Sequence, residues 1–146
     1  MGVAQGDAGQ AVHPRLASLI NDVLLGSPVA RRLGFELGAL SVDRAVLMLP
    51  FRRENVTVGD IVHGGVIAAM IDVAGVAAAI SGAEAEAFKG SATSSLSISF
   101  LAPADGVALR AEAVVLRRGR RQVVSDVAVF AETVLAAKAL VTTALF

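Results

Sequence analysis

The sequence predicts an α+β fold in which an antiparallel sheet wraps around one long apolar helix. Residues 65–81, GVIAAMIDVAGVAAAIS, indicate the helix, because they are helix-forming and carry Asp72 as their single charge. Segments on both sides of this run alternate apolar and polar residues between turn signals, and they indicate the sheet. A chain of 146 residues is long enough for one domain with a sizeable core. We therefore expect a loose tail over residues 1–12 and a single domain over 13–146.

The part of the domain before the long helix is expected to contain one helix and two strands. Apolar residues recur at helical spacing over residues 14–25, and Gly26-Ser27-Pro28 supplies the stop signal. Residues 35–40 and 44–51 predict two strands joined by a turn. Residues 52–62 then predict a loop that leads into the long helix.

The part after the long helix is strand-like, apart from a polar connection over residues 82–90. The first strand alternates serine with Leu, Ile and Phe from Ser95 onward and is ended by Pro103. A hairpin signal at Arg118-Gly119-Arg120 and a turn near residue 132 separate the others, which we place at 107–117, 122–130 and 134–145. The predicted order is helix, two strands, long helix and four strands.

The composition excludes several classes of function. The absence of cysteine excludes disulfides, thiol catalysis and Cys-ligated metals, and two histidines are too few for a histidine-rich metal cluster. We therefore expect no metal or redox cofactor. A net charge of zero and the lack of aromatic residues among the arginines argue against nucleic acid. The chain start lacks a signal-peptide pattern, and the apolar run is shorter than a bilayer span, so we expect a soluble cytoplasmic protein without a membrane partner.

Asp72 is the strongest candidate for a reactive group. A carboxylate in an apolar helix loses hydration and needs compensation, yet no Lys or Arg lies within four positions of it. It cannot be a cap, because it sits about two turns inside the helix. Its helical neighbours Ala68, Ala69 and Gly75 are small and leave room for a ligand. We interpret Asp72 as a reactive carboxylate in a pocket, with a structural acid paired across the fold as the alternative.

Four segments carry a family resemblance: GDIVHGGVIAAMIDVAGVAAAIS, TSSLSISFLAPA, VLRRGRRQVVSDVAVF and LAAKALVTTALF. They include His63-Gly64-Gly65, the nine-residue step from the histidine to Asp72, and the strand that ends at Pro103. Over about residues 30–146 the chain resembles the hotdog-fold thioesterases, and within them the PaaI-like group that cleaves acyl-CoA thioesters. The resemblance implies a hotdog fold, an acyl-CoA substrate that brings its own coenzyme A, and a homo-oligomer, either a dimer or a dimer of dimers.

The chemistry of thioester hydrolysis explains the residue types of the central motif. The reaction builds negative charge on the carbonyl oxygen, and a backbone N–H at a helix N-terminus can stabilise that charge. The resemblance gives this role to Gly64, and gives Asp72 the role of nucleophile or of general base toward water. Gly65 would let backbone and substrate approach closely, and His63 would position substrate or water. As an alternative, the two glycines form only a tight turn and His63 only orders the loop.

Further polar residues complete the predicted site. Asn55 resembles a family residue that orients water or substrate, but its spacing to Gly64 is longer than in many relatives, so Thr57 is an alternative. Thr93 aligns with a family Ser or Thr that can bond near the acid, and otherwise it is a solvent-facing strand hydroxyl. The hairpin carries candidates for binding the phosphates of coenzyme A, with a solvated face as the alternative: Arg117, Arg118, Arg120 and Arg121.

The spacing of Gly64 and Asp72 has a geometric consequence. Eight helical positions correspond to about 12 Å, and a carboxylate leaning toward the N-terminus recovers only part of this distance. Both groups can therefore act on one carbonyl only if two antiparallel helices from two subunits lie side by side. Two other functions stay open: a hotdog hydratase or dehydratase, although the proline-rich segment of carrier-protein dehydratases is missing before Asp72, and a non-catalytic acyl-CoA-binding protein.

Overall fold

The computed structural model describes residues 9–146, in which six antiparallel strands form one sheet that packs against a single long helix. The helices are α1 (Pro14–Ser18), α2 (Pro28–Leu33) and α3 (Gly64–Ser81). The strands are β1 (Glu36–Ser41), β2 (Arg44–Leu49), β3 (Ser91–Phe100), β4 (Leu109–Arg118), β5 (Gln122–Ala131) and β6 (Val134–Leu145). The first eight residues of the predicted tail lie outside the described range. The end of that tail is attached to the domain, because the Gln10 carbonyl accepts a hydrogen bond from the Val42 N–H at 2.9 Å.

The strand order in the sheet is β1-β2-β4-β5-β6-β3, so β1 and β3 are the edge strands. Successive side chains of a strand point to opposite faces of the sheet. On four central strands this alternation buries apolar side chains completely against α3, among them Leu47, Ala113, Val127 and Val141. Edge strand β3 is different, since most of its residues are exposed.

Helix α3 is the core helix of the fold. Contrary to the length argument made from the sequence, its 18 residues and mean hydropathy of 1.8 would by themselves allow a membrane span, but 67% of the helix is buried within the domain. Every residue from Ala74 to Ser81 is buried, whereas the first half of the helix is only partly covered. A Cβ placed on Gly75 would lie 2.7 Å from the Cβ of Val141, so only glycine permits this close approach of α3 to β6. The helix therefore has a covered half and an accessible half.

The structure differs from the sequence prediction around the first helix. Residues Leu19–Leu24 continue α1 with π-helical hydrogen bonds. Gly26-Ser27-Pro28 ends that helix as expected but also starts α2, a helix the prediction missed. The Ser27 side chain accepts a hydrogen bond from the Ala30 N–H, Pro28 occupies the first turn, and Gly34, with φ of 91°, ends the helix. The same three residues are thus both a stop signal and a start signal.

Strand β3 also begins earlier than predicted, at Ser91 rather than near Ser95. Its pairing with β6 shifts register between Thr93 and Ser95, which leaves Ser94 as a bulge. The serine-apolar alternation therefore applies only after the bulge. Because of this early start, Thr93 lies within the strand and its side chain faces α3.

Candidate active site

The first turn of α3 leaves one backbone donor available. His63 precedes the helix, and its Nδ1 accepts a hydrogen bond from the Gly65 N–H at 2.8 Å. The His63 carbonyl accepts from the N–H groups of Val66 and Ile67 at 3.0 and 3.2 Å. The Gly64 N–H has no partner within residues 9–146. An unpaired N–H at a helix N-terminus, reinforced by the helix dipole, is suited to binding negative charge on an oxygen atom.

A cavity of about 370 Å³ lies beside Gly64. It is lined by Thr57, Ile61, Val62, Gly64, Ile67 and residues 100–104, and every lining side chain except that of Thr57 is apolar. A largely apolar cavity of this size with one convergent polar donor is typical of a site for a small organic group. The sequence prediction did not include these walls, although the alternation along β3 puts Phe100 on the strand face that covers α3.

Asp72 is half-buried on the accessible half of α3. Its Oδ1 accepts a hydrogen bond from the Thr93 hydroxyl, with 2.5 Å between the oxygens. The predicted contact between Thr93 and the acid is therefore present. Within the described chain Asp72 forms no ion pair with Lys, Arg or His. This leaves no support within one subunit for the alternative of a charge-paired structural acid, and it leaves Oδ2 available for chemistry.

The structure does not bring Asp72 to the cavity that Gly64 opens onto. Asp72 is not among the cavity-lining residues, and the helical rise separates it from Gly64 by about 12 Å. The surface near Gly64 is apolar, since the side chains of Phe100 and Leu101, which line the cavity, are 55% and 57% exposed. It also includes the outer edge of β3, whose backbone groups have no neighbouring strand within the described chain.

Asn55 lies outside the cavity and supports the loop before α3. It is 3% exposed, and its Nδ2 donates to the Leu33 carbonyl at 2.8 Å. Its own carbonyl accepts from the His63 N–H at 2.8 Å. Asn55 thus connects the end of α2 to the residue that caps α3, while Thr57, the alternative polar residue, lines the cavity.

The four arginines of the β4–β5 hairpin have different surroundings. Arg118 donates from Nη2 and Nε to Asp43 Oδ1 at 2.7 and 3.0 Å, and from Nη2 to the Ala79 carbonyl at 2.9 Å. It therefore binds the C-terminal end of α3, where a cation is favourable. Its Nε and Nη2 are engaged by these contacts, and its Nη1 is buried without a partner in the described residues. This placement favours a structural role for Arg118, and phosphate binding by Arg118 stays a prediction. Arg117, Arg120 and Arg121 are exposed and form no ion pair within the described residues.

Two observations bear on metals and on the family. Across residues 9–146, no group of three His, Cys, Asp or Glu side chains is placed to hold a metal ion. The sequence model of the thioesterase superfamily matches residues 59–137, which is more than half of the chain. The chain therefore belongs to the thioesterase superfamily, as the resemblance implied.

Individual relatives agree with this assignment. SSO1253 of Saccharolobus solfataricus, provisionally named an esterase, is 30% identical over 124 residues, which are 84% of this chain and 81% of that protein. A thioesterase family protein from Silicibacter pomeroyi has a TM-score of 0.83 at 27% identity, covering 90% of this chain and 98% of that one. The E. coli PaaI protein from the phenylacetic acid degradation operon shares the fold, with a TM-score of 0.79 at 19% identity over 90% and 94% of the two chains. The predicted hotdog fold is confirmed.

Proposed function

We propose that this protein is a cytoplasmic acyl-CoA thioesterase that hydrolyses a thioester to a carboxylic acid and coenzyme A. The observation that carries the proposal is the pair of groups on α3. One is the Gly64 N–H, which has no partner in the described chain and opens onto an apolar cavity. The other is Asp72, a carboxylate held by a neutral hydroxyl. Membership of the thioesterase superfamily supports thioester hydrolysis, while coenzyme A and the residue roles belong to the proposal.

The proposed active unit is a homodimer with two shared sites. An antiparallel arrangement of α3 beside its copy would place Asp72 of the partner subunit opposite Gly64, and two-fold symmetry would repeat the arrangement. The same docking would cover the exposed edge of β3 together with Phe100 and Leu101, which a monomer leaves in water. The accessible half of α3 and the edge strand would thus be covered by one contact.

In the proposed reaction the acyl group occupies the cavity and the thioester carbonyl oxygen accepts a hydrogen bond from the Gly64 N–H. Asp72 of the partner subunit then attacks the carbonyl carbon, or removes a proton from a water that attacks it. The tetrahedral intermediate collapses, the C–S bond breaks, and the coenzyme A thiolate takes up a proton. After direct attack, water hydrolyses the resulting anhydride and restores Asp72. Thr93 holds Oδ1 throughout, so that Oδ2 faces the reaction.

Coenzyme A recognition is proposed for the exposed arginines only. Arg117, Arg120 and Arg121 present guanidinium groups that suit phosphate oxygens. Arg118 is left out, because it is bound to Asp43 and to a carbonyl of α3. We therefore expect the hairpin to bind the nucleotide part of the substrate equally well in the ground state and the transition state, and to take no part in the chemical step.

A thiol-release assay over a panel of acyl-CoA substrates tests this proposal. We expect release of free coenzyme A by the wild-type protein and its loss in Asp72→Asn. Hydration of an enoyl-CoA without thiol release would indicate a hydratase instead. Tight binding of acyl-CoA by calorimetry with neither reaction would indicate a non-catalytic binding protein.

A further inference from the structure

A second hydroxyl lies beside the contact between Thr93 and Asp72. Thr143 on β6 is the direct cross-strand partner of Thr93 on β3, so the two side chains share the face of the sheet that covers α3. Thr143 is completely buried, and its Oγ1 has no hydrogen-bond partner within the described residues. A buried hydroxyl without a partner costs stability and is uncommon in folded proteins. It therefore requires a physical explanation.

Thr93 is the polar neighbour that can satisfy this hydroxyl. Directly opposed residues have Cβ atoms roughly 4.5–5.5 Å apart, and threonine pairs form hydrogen bonds at this spacing. The opposite neighbour of Thr143, Val123 on β5, is apolar and offers no acceptor side chain. Thr93 gives its only hydroxyl proton to Asp72, so the lone pairs of its Oγ1 remain acceptors. A rotation of Thr143 about χ1 exchanges methyl and hydroxyl positions without moving the backbone.

We propose that Thr143 is a positioning residue for Asp72, and that its hydroxyl donates to Thr93 Oγ1 while Thr93 donates to Asp72 Oδ1. This inference rests on the proposed role of Asp72 in thioester hydrolysis. Successive hydrogen bonds polarise one another, so Thr143 strengthens the bond that orients the carboxylate. The bulge at Ser94 supports the arrangement, because it keeps Thr93 facing inward, and the Ser94 hydroxyl is itself bonded to the Thr142 carbonyl at 3.2 Å.

Thr143→Val is the test variant, because valine keeps the shape and removes only the hydroxyl. We expect a kcat about three- to tenfold below wild type with an unchanged KM, the size of effect produced by one modest hydrogen bond. Thr143→Ser keeps the hydroxyl and should retain the wild-type kcat. Thr93→Val already removes the hydrogen bonds that link Thr143 to Asp72. Adding Thr143→Val to that variant should therefore lower kcat no further. An effect of Thr143→Val that persists in that background would overturn the proposal.

Two readouts do not depend on activity. Thr143→Val should lower the melting temperature if the hydroxyl is hydrogen-bonded, and should raise it if the hydroxyl is unpaired. The Thr143 hydroxyl proton should also exchange slowly with solvent in NMR spectra and show a nuclear Overhauser contact to Thr93. If Thr143→Val has the wild-type kcat and a raised melting temperature, the proposed role of Thr143 in positioning Asp72 is wrong, while the proposed thioesterase function is unaffected. Lowered stability and a protected hydroxyl in a protein that hydrolyses no thioester would instead overturn the proposed function.

Discussion

Arg118 and Asp43 lie 75 positions apart in sequence, yet Nε and Nη2 of Arg118 both donate to Asp43 Oδ1. This contact joins the β1–β2 and β4–β5 hairpins at the end of α3. Asp43 lies in the turn between β1 and β2 with φ of 65°, and its N–H donates to the Ser81 hydroxyl at 2.9 Å. The Ser81 hydroxyl donates in turn to the Ala78 carbonyl at 2.7 Å. The three residues thus satisfy polar groups where α3 ends.

The first prediction is that Arg118→Ala acts on stability rather than on substrate binding. The variant loses a charge-assisted contact and a bond to a helix carbonyl, so we expect about 1–3 kcal/mol lower free energy of unfolding. Urea unfolding measures this, with Arg120→Ala as an exposed control that should stay close to wild type. A raised KM for acyl-CoA with unchanged stability would instead indicate that Arg118 binds phosphate.

The second prediction concerns the exposed arginines. Replacing Arg120 and Arg121 with Ala should raise KM for acyl-CoA and leave kcat nearly intact, which is the signature of lost uniform binding. Steady-state kinetics on acyl-CoA and on a pantetheine thioester without the nucleotide separate the two parts of the substrate. Equal losses on both substrates would contradict a phosphate contact.

The third prediction is that Asp72→Asn removes activity and spares the fold. Asparagine keeps the oxygen that Thr93 binds but is neither a base nor a nucleophile, so we expect kcat/KM to fall about 10²–10⁴-fold. The melting temperature should hold or rise, because the change removes a half-buried charge that has no ion-pair partner in the described chain. Full activity with lower stability would refute the catalytic role.

The fourth prediction isolates the Gly64 N–H. Gly64 is the first residue of α3, where proline is tolerated, and His63 has φ of −59° and ψ of 133°, which suits a residue before proline. Gly64→Pro therefore deletes the donor within an intact helix, and we expect kcat to fall about 10²–10³-fold. Gly64→Ala is the matched control: it keeps the N–H, and its Cβ would lie 3.6 Å from the Phe100 ring, an ordinary contact. If both variants lose the same activity, steric filling of the cavity explains the loss.

The fifth prediction tests the shared site by mixing Asp72→Asn with Gly64→Pro chains. In a heterodimer one site combines both defects and the other combines Gly64 of one chain with Asp72 of the other. Random re-association in equal amounts should therefore restore about a quarter of wild-type activity. Activity of the wild-type protein at dilutions where sedimentation shows only monomer would contradict the dimer.

The elements that sequence predicts well here are those set by local pattern. The apolar run of α3 and the alternation of the later strands are local signals, and the family motif locates Gly64 and Asp72. What the pattern does not contain is pairing between distant residues. Arg118 belongs to a basic cluster in sequence, and only the fold reveals Asp43 beside it. Asn55 stands in a polar loop, yet the end of α2 buries it. Thr143 looks like an ordinary strand residue until the register places it opposite Thr93.

The glycine at position 75 has a consequence for the proposed chemistry. Any side chain there would have to displace Val141, so Gly75 sets how deeply α3 is seated in the sheet. Asp72 lies about one helical turn before it, and at this depth of the helix its Oδ1 accepts a hydrogen bond from the Thr93 hydroxyl at 2.5 Å. The position of the carboxylate that we propose to react therefore depends on the absence of a side chain at Gly75, three positions further along the helix. Substitutions in the cavity walls would change the space beside Gly64 without moving this carboxylate, whereas a side chain at position 75 would shift the helix that carries it.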